Sequence, residues 1–170
     1  MQERRSNVST MIKDTDLMYR IHLDKIRRWL KKLESFYIRQ DDLDFDELLD
    51  CYEIYCIFCY HLSDYLIQSC LFDSKKVYDY IDSHLELKVC KDICNKTKHL
   101  ILERPKVDSN VRITKLFVSS NVISKRPHLY FDWEVEVLDG KINPLELAKK
   151  CLSLWESFII SCGQNALPVA

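Results

Sequence analysis

The chain has 170 residues, 47% of them apolar, and 25 Lys and Arg against 26 Asp and Glu give a formal net charge of -1. That balance argues against bulk electrostatic capture of nucleic acid or anionic membrane. Two glycines and four prolines argue against low-complexity chain and against glycine loops that cradle phosphates.

No apolar run reaches the roughly 18 residues of a membrane span; the richest stretch, Tyr52 to Leu71, is broken by Glu53, His61, Ser63, Asp64 and Gln68. Met1 to Asp14 has no apolar core segment and no small-residue cleavage site, so the eight cysteines read as reduced thiols of a cytoplasmic protein. The expected organisation is a single domain over residues 1–170, with residues 1–12 and 163–170 as flexible tails.

Helical periodicity begins at Thr15 and runs to about Tyr37, where Met18, Ile26, Trp29, Leu30, Leu33 and Tyr37 form the apolar stripe. Lys25, Arg27, Arg28, Lys31 and Lys32 read as a solvated face, with the acidic link from Asp41 to Asp44 as intramolecular counter-charge. A second helix is predicted from Phe45 to about Cys70, with Asp44 as N-cap and Asp46 and Glu47 at the positive end of its dipole. It is apolar nearly all round, as a central buried helix is. Ser74 opens a short third helix through Val77, Tyr80 and Ile81. Ser83-His84-Leu85-Glu86 has the form of a capping box and predicts a fourth helix to about Leu102, ending before Pro105.

Residues 112–118 and 129–137 alternate β-type residues and predict a half-buried hairpin, with Tyr130, Phe131 and Trp133 either covering the helices or offering a stacking surface. Asp139-Gly140 marks a tight turn. Asn143-Pro144-Leu145-Glu146 combines an N-cap, a proline at the first helical position and a glutamate at the third, opening a last helix to about Ile160 with Leu147, Leu154, Trp155 and Phe158 inward. The expected fold is α+β and mainly helical: an antiparallel helical bundle with a β-hairpin inserted before the C-terminal helix.

Two polar clusters carry chemistry. On the fourth helix, at about 100° per residue, Asp92, Asn95 and His99 fall in a strip roughly 60° wide with Lys96 alongside. This is either an amphipathic surface face or one wall of a site. On the second helix, His61 and Asp64 sit one turn apart among Ile54, Ile57, Phe58, Leu62 and Tyr65, a setting that reads as buried. Polar groups there need partners. They either satisfy each other or reach across a groove to Asn95, Lys98 or His99.

His61-Leu-Ser-Asp64-Tyr65 and Asp92-x-x-Asn95-x-x-Lys98-His99 together resemble a group of uncharacterised bacterial helical proteins with H-x-x-D-(W/Y) and D-x-x-N-x-x-K-H elements. More distantly, the pattern is similar to the HEPN superfamily. Its bundles carry an arginine, usually followed by a polar residue, and then a histidine after four to six intervening residues. Members include metal-independent ribonucleases of toxin–antitoxin and phage-defence systems, and inactive versions. Here Asn95 takes the polar position and His99 the histidine. Cys94 stands where the family has arginine, and a thiol has neither the charge nor the bidentate donors that hold a phosphate.

The resemblance implies His99 as the acid/base group with Asn95 positioning it, and Lys96, Lys98 and Asp92 at the substrate. His61 and Asp64 then form a supporting network. It implies RNA or a cognate protein as partner, a homodimer, and no cofactor. The alternative is a non-catalytic protein-interaction or oligomerisation module.

Other chemistry is less well supported. Cys56-x-x-Cys59 has the spacing of half a zinc site but lies within an apolar helix without a knuckle turn, so small core residues are the expected role. His61, Asp64, Asp92 and His99 are of ligand type for zinc, iron or manganese, but the Glu-x-x-His pairs of di-iron bundles are absent.

Overall fold

The computed structural model describes residues 3–38, 44–98, 112–119, 129–137 and 140–163, with side chains at 17–37, 44–98, 133–137 and 140–162. It is a mainly helical bundle with an antiparallel β-hairpin before the C-terminal helix. The elements are α1 (Glu3–Ile38), α2 (Phe45–Gln68), α3 (Ser74–Ser83), α4 (Leu85–Lys96), β1 (Arg112–Ser119), β2 (Leu129–Val137), β3 (Gly140–Ile142) and α5 (Pro144–Gly163).

α1 begins at Glu3 rather than Thr15. Residues 3–14 lack the apolar stripe on which the prediction rested, but they contain neither glycine nor proline, so nothing in them stops a helix from propagating. α1 and α2 are antiparallel: Lys32 pairs with Glu47 at 3.2 Å near one end, and Tyr19 meets Phe72 edge-on beyond the other. Among the described residues, Arg27 of the basic face pairs with Glu156 of α5 at 2.7 Å and with Asp24 of α1 itself. Asp41 and Asp42 lie outside the described residues.

α2 is the central rod. Asp44 Oδ1 accepts from the backbone N–H groups of Asp46 and Glu47, and Leu48, Cys51, Tyr52, Tyr55, Cys56, Cys59, Leu62 and Leu66 are all essentially sealed from solvent. The capping box does not form at Ser83. That residue is the last of α3, and its hydroxyl donates backwards to the Tyr80 carbonyl; His84 is the N-cap of α4 and makes no side-chain capping bond. α4 also ends early, at Lys96. The Thr97 hydroxyl donates to the Cys94 carbonyl at 2.7 Å and Lys98 N–H donates to the Asn95 carbonyl, a tightened last turn. Residues 99–102 lie outside the described residues.

β1 pairs with β2 from Arg112 opposite Glu136 to Ser119 opposite Leu129. A short third strand, absent from the sequence reading, adds to it through Val135 opposite Ile142 and Val137 opposite Gly140. Asp139 is outside the described residues, while Gly140 holds φ +148°, a conformation that favours glycine. Along β2, Trp133, Val135 and Val137 are buried while Glu134 and Glu136 are half-buried, the period-2 pattern of a strand with one face on the core. Trp133 seats edge-on against Tyr52 at 4.9 Å and Phe45 at 6.4 Å. This tryptophan therefore covers the helices; the side chains of Tyr130 and Phe131 lie outside the described residues.

Asn143 Oδ1 caps α5 by accepting from Leu145 and Glu146 N–H. Leu147, Leu154, Trp155 and Phe158 face inward. Two tyrosines bolt this helix down, with Tyr55 Oη donating to the Ala148 carbonyl at 2.6 Å and Tyr80 Oη to the Leu154 carbonyl at 2.9 Å.

Candidate functional site

α2 and α4 pack side by side, and their polar residues meet at the C-terminal end of α4. His61 is only half-buried there. Its Nε2 accepts from Lys98 Nζ at 3.3 Å, an arrangement that needs a lone pair on Nε2 and so puts the ring proton on Nδ1. The same nitrogen lies 3.7 Å from Cys94 Sγ. Partial burial first, and then the Lys98 ammonium, lower the His61 pKa below 6.5, with Asp64 opposing them. The imidazole is therefore neutral near pH 7, beside a fixed positive charge.

Asp64 is exposed, contrary to the reading of a buried His61–Asp64 pair. Residue 63 takes the inward position: Ser63 is completely buried, and its hydroxyl is satisfied by the Tyr60 carbonyl at 2.7 Å. The α4 strip is also corrected. Asp92 is 1% exposed and belongs to the interior, whereas Asn95 and Lys96 are half-buried and Lys98 is exposed. Because α4 packs against α2, α3 and α5, its buried surface is wider than a single apolar stripe. His99 lies outside the described residues.

Cys94, at the position where the resembled family has arginine, is fully buried. Burial pushes its thiol up, Lys98 opposes this, and Asp64 adds to it. A protonated, sealed thiol is a poor nucleophile. The chemistry open to this edge is therefore that of a neutral imidazole and a lysine ammonium, a base beside an anion holder, with Asn95 nearby along α4.

The sequence reading missed His22, which is 2% exposed. Its Nε2–H donates to the Phe58 carbonyl at 2.8 Å and its ring stacks on Tyr65 with centroids 4.2 Å apart. Burial lowers its pKa, and the Phe58 carbonyl opposes that shift. The signal was present, because His22 falls within the helical stripe of Tyr19, Leu23, Ile26, Leu30 and Leu33, all buried. His22 also lies one turn after Met18 and one turn before Ile26, on the very row of the predicted apolar stripe.

Among the described residues, no helix is long and apolar enough to cross a membrane. Comparison of the chain with protein-family models, with curated proteins and with solved structures gives no match.

Proposed function

We propose that the α2–α4 edge is a phosphate-directed site for RNA, of the HEPN-like kind that the sequence resembles, acting in a toxin–antitoxin or phage-defence setting by binding RNA or cleaving it without a metal. The observation that carries this reading is the neutral His61 imidazole held 3.3 Å from the Lys98 ammonium at a half-open edge. Lysine supplies the phosphate contact that Cys94 does not. In a cleavage step, His99 acts as acid/base on the 2′-hydroxyl or leaving oxygen, Asn95 positions it, and Lys98 and Lys96 hold the phosphate. His61 then sets the orientation of Lys98.

The test is purified protein with labelled RNA in the presence of a chelator, comparing wild type with His99→Ala, Asn95→Ala, Lys98→Ala and His61→Ala. Loss of cleavage or of binding in His99→Ala and Lys98→Ala, with unchanged circular dichroism, supports the site. Neither binding nor cleavage by the wild type rejects it.

A second reading, a non-catalytic interaction module that pairs with a second copy or a cognate protein, draws on a different surface. Leu17, Met18 and Ile21 share one face of α1 and are 54%, 49% and 42% exposed. A Leu17→Glu/Ile21→Glu variant that turns a dimer into a monomer in sedimentation would support it. A monomeric wild type would reject the homodimer.

A further inference from the structure

Sulfur gathers where three helices meet. Cys59 of α2, Cys90 of α4 and Cys151 of α5 are each 0% exposed, and their Sγ atoms all lie within 4.8 Å of one another. Cys90 and Cys151 approach to 3.5 Å. Cys56, also 0% exposed, sits one turn before Cys59 on the same face of α2 and near Cys90, with its sulfur outside the group of three. A cation with metal–sulfur bonds of about 2.3 Å in a tetrahedron needs its sulfurs about 3.8 Å apart; Cys90 and Cys151 are close to that at 3.5 Å, and no spacing among the three sulfurs, all within 4.8 Å, exceeds it by more than about 1 Å.

Two further polar groups lie against this cluster. The Trp155 indole N–H and the Tyr52 hydroxyl are buried and donate to no oxygen or nitrogen, so thiol sulfur is the acceptor within reach of each. Trp155 lies beside Cys59 and Tyr52 beside Cys56. Neutral thiols are poor acceptors for such donors, but thiolates are strong ones, and a set of thiolates around a divalent ion carries net negative charge that needs donors around it. Alanine or valine at these positions would fill the space and leave both donors stranded.

We propose that Cys59, Cys90 and Cys151 form a buried thiolate site for a soft divalent cation of the zinc class, with Cys56 turning in as the fourth ligand, Trp155 donating to Cys59 and Tyr52 to Cys56. Soft thiolate sets select zinc and similar ions over magnesium or calcium. Binding releases the thiol protons to solvent as the metal–sulfur bonds form, with no change of oxidation state. Because all of these side chains are sealed, the ion enters as the helices assemble, and it ties α2, α4 and α5 together. The helical setting of Cys56-x-x-Cys59 argues against a zinc knuckle, but not against a site built across helices. The site is independent of the edge at His61.

The full chain is purified under reducing conditions and its zinc measured by elemental analysis. It is then unfolded with chelator, refolded anaerobically with Co(II), and followed by absorption. The expected result is about one zinc per chain and, with cobalt, thiolate charge-transfer and tetrahedral ligand-field bands. Cys90→Ala and Cys151→Ala abolish both signals while Cys70→Ala, at an exposed cysteine, keeps them. If the core variants fail to fold, the wild-type melting temperature still decides the matter, since it must fall with chelator and recover with Zn(II). Absence of metal and of cobalt bands in folded wild type overturns the proposal. A Cys90–Cys151 disulfide found by mass spectrometry in protein refolded with zinc also overturns it.

Discussion

His61 shows how much a single side chain depends on its neighbour from another helix. Lys98 both donates to its ring and lowers its pKa, on top of the larger effect of burial, while Asp64 acts in the opposite sense. Lys98→Met should therefore move the His61 titration upward towards 6.5, and Asp64→Asn should move it further down, both read by NMR of the imidazole protons. Unchanged titrations in both variants would leave burial as its sole cause. A different residue tests the core. Tyr55 Oη donates to the Ala148 carbonyl at 2.6 Å across buried ground, so Tyr55→Phe should cost about 1 kcal/mol. Urea unfolding should show a lower midpoint with an unchanged slope.

Helix starts separate sequence signals that the tertiary structure uses from those it does not. Asp44 and Asn143 accept two backbone N–H groups each at the starts of α2 and α5. Ser83 has the same credentials in sequence, but its hydroxyl turns back to Tyr80. Asp44→Ala and Asn143→Ala should each lower stability by about 1 kcal/mol, and Ser83→Ala by less than about 0.5 kcal/mol, measured by chemical denaturation. Equal losses at all three positions would mean that the serine caps α4 after all. The same element-level view explains β3. Three residues between a turn and an N-cap carry too little alternation to be read as a strand, and the register with Val135 and Val137 reveals it.

For the molecule as a whole, two histidines, His22 between α1 and α2 and His61 between α2 and the end of α4, make stability depend on pH. Both His22 and His61 have folded pKa values below 6.5, chiefly from burial. Their neutral forms are thus favoured by folding, so their contribution is complete above 6.5 and is lost as pH falls through the folded values. The melting temperature should therefore drop as the pH falls below 6.5. His22→Phe, which keeps a ring against Tyr65, should flatten that drop, and His61→Ala should flatten it less if the deeper histidine dominates. A pH profile identical in wild type and His22→Phe would remove His22 from this account.

Local rules carried far in this chain. Periodicity, the Asp44 and Asn143 caps and the alternation of β2 set the helices, the hairpin and the inward face of α5, because each is a short-range consequence of side-chain spacing and backbone hydrogen bonding. What faces what was decided only in three dimensions. Ser63 rather than Asp64 turns inward, Asp92 leaves the polar strip for the interior, and His22 fills a gap beside Tyr65, because a helix enclosed on several sides buries more than one stripe. The meeting of His61 with Cys94 and Lys98, and of Cys59 with Cys90 and Cys151, joins residues far apart in sequence, and helix packing alone sets those distances.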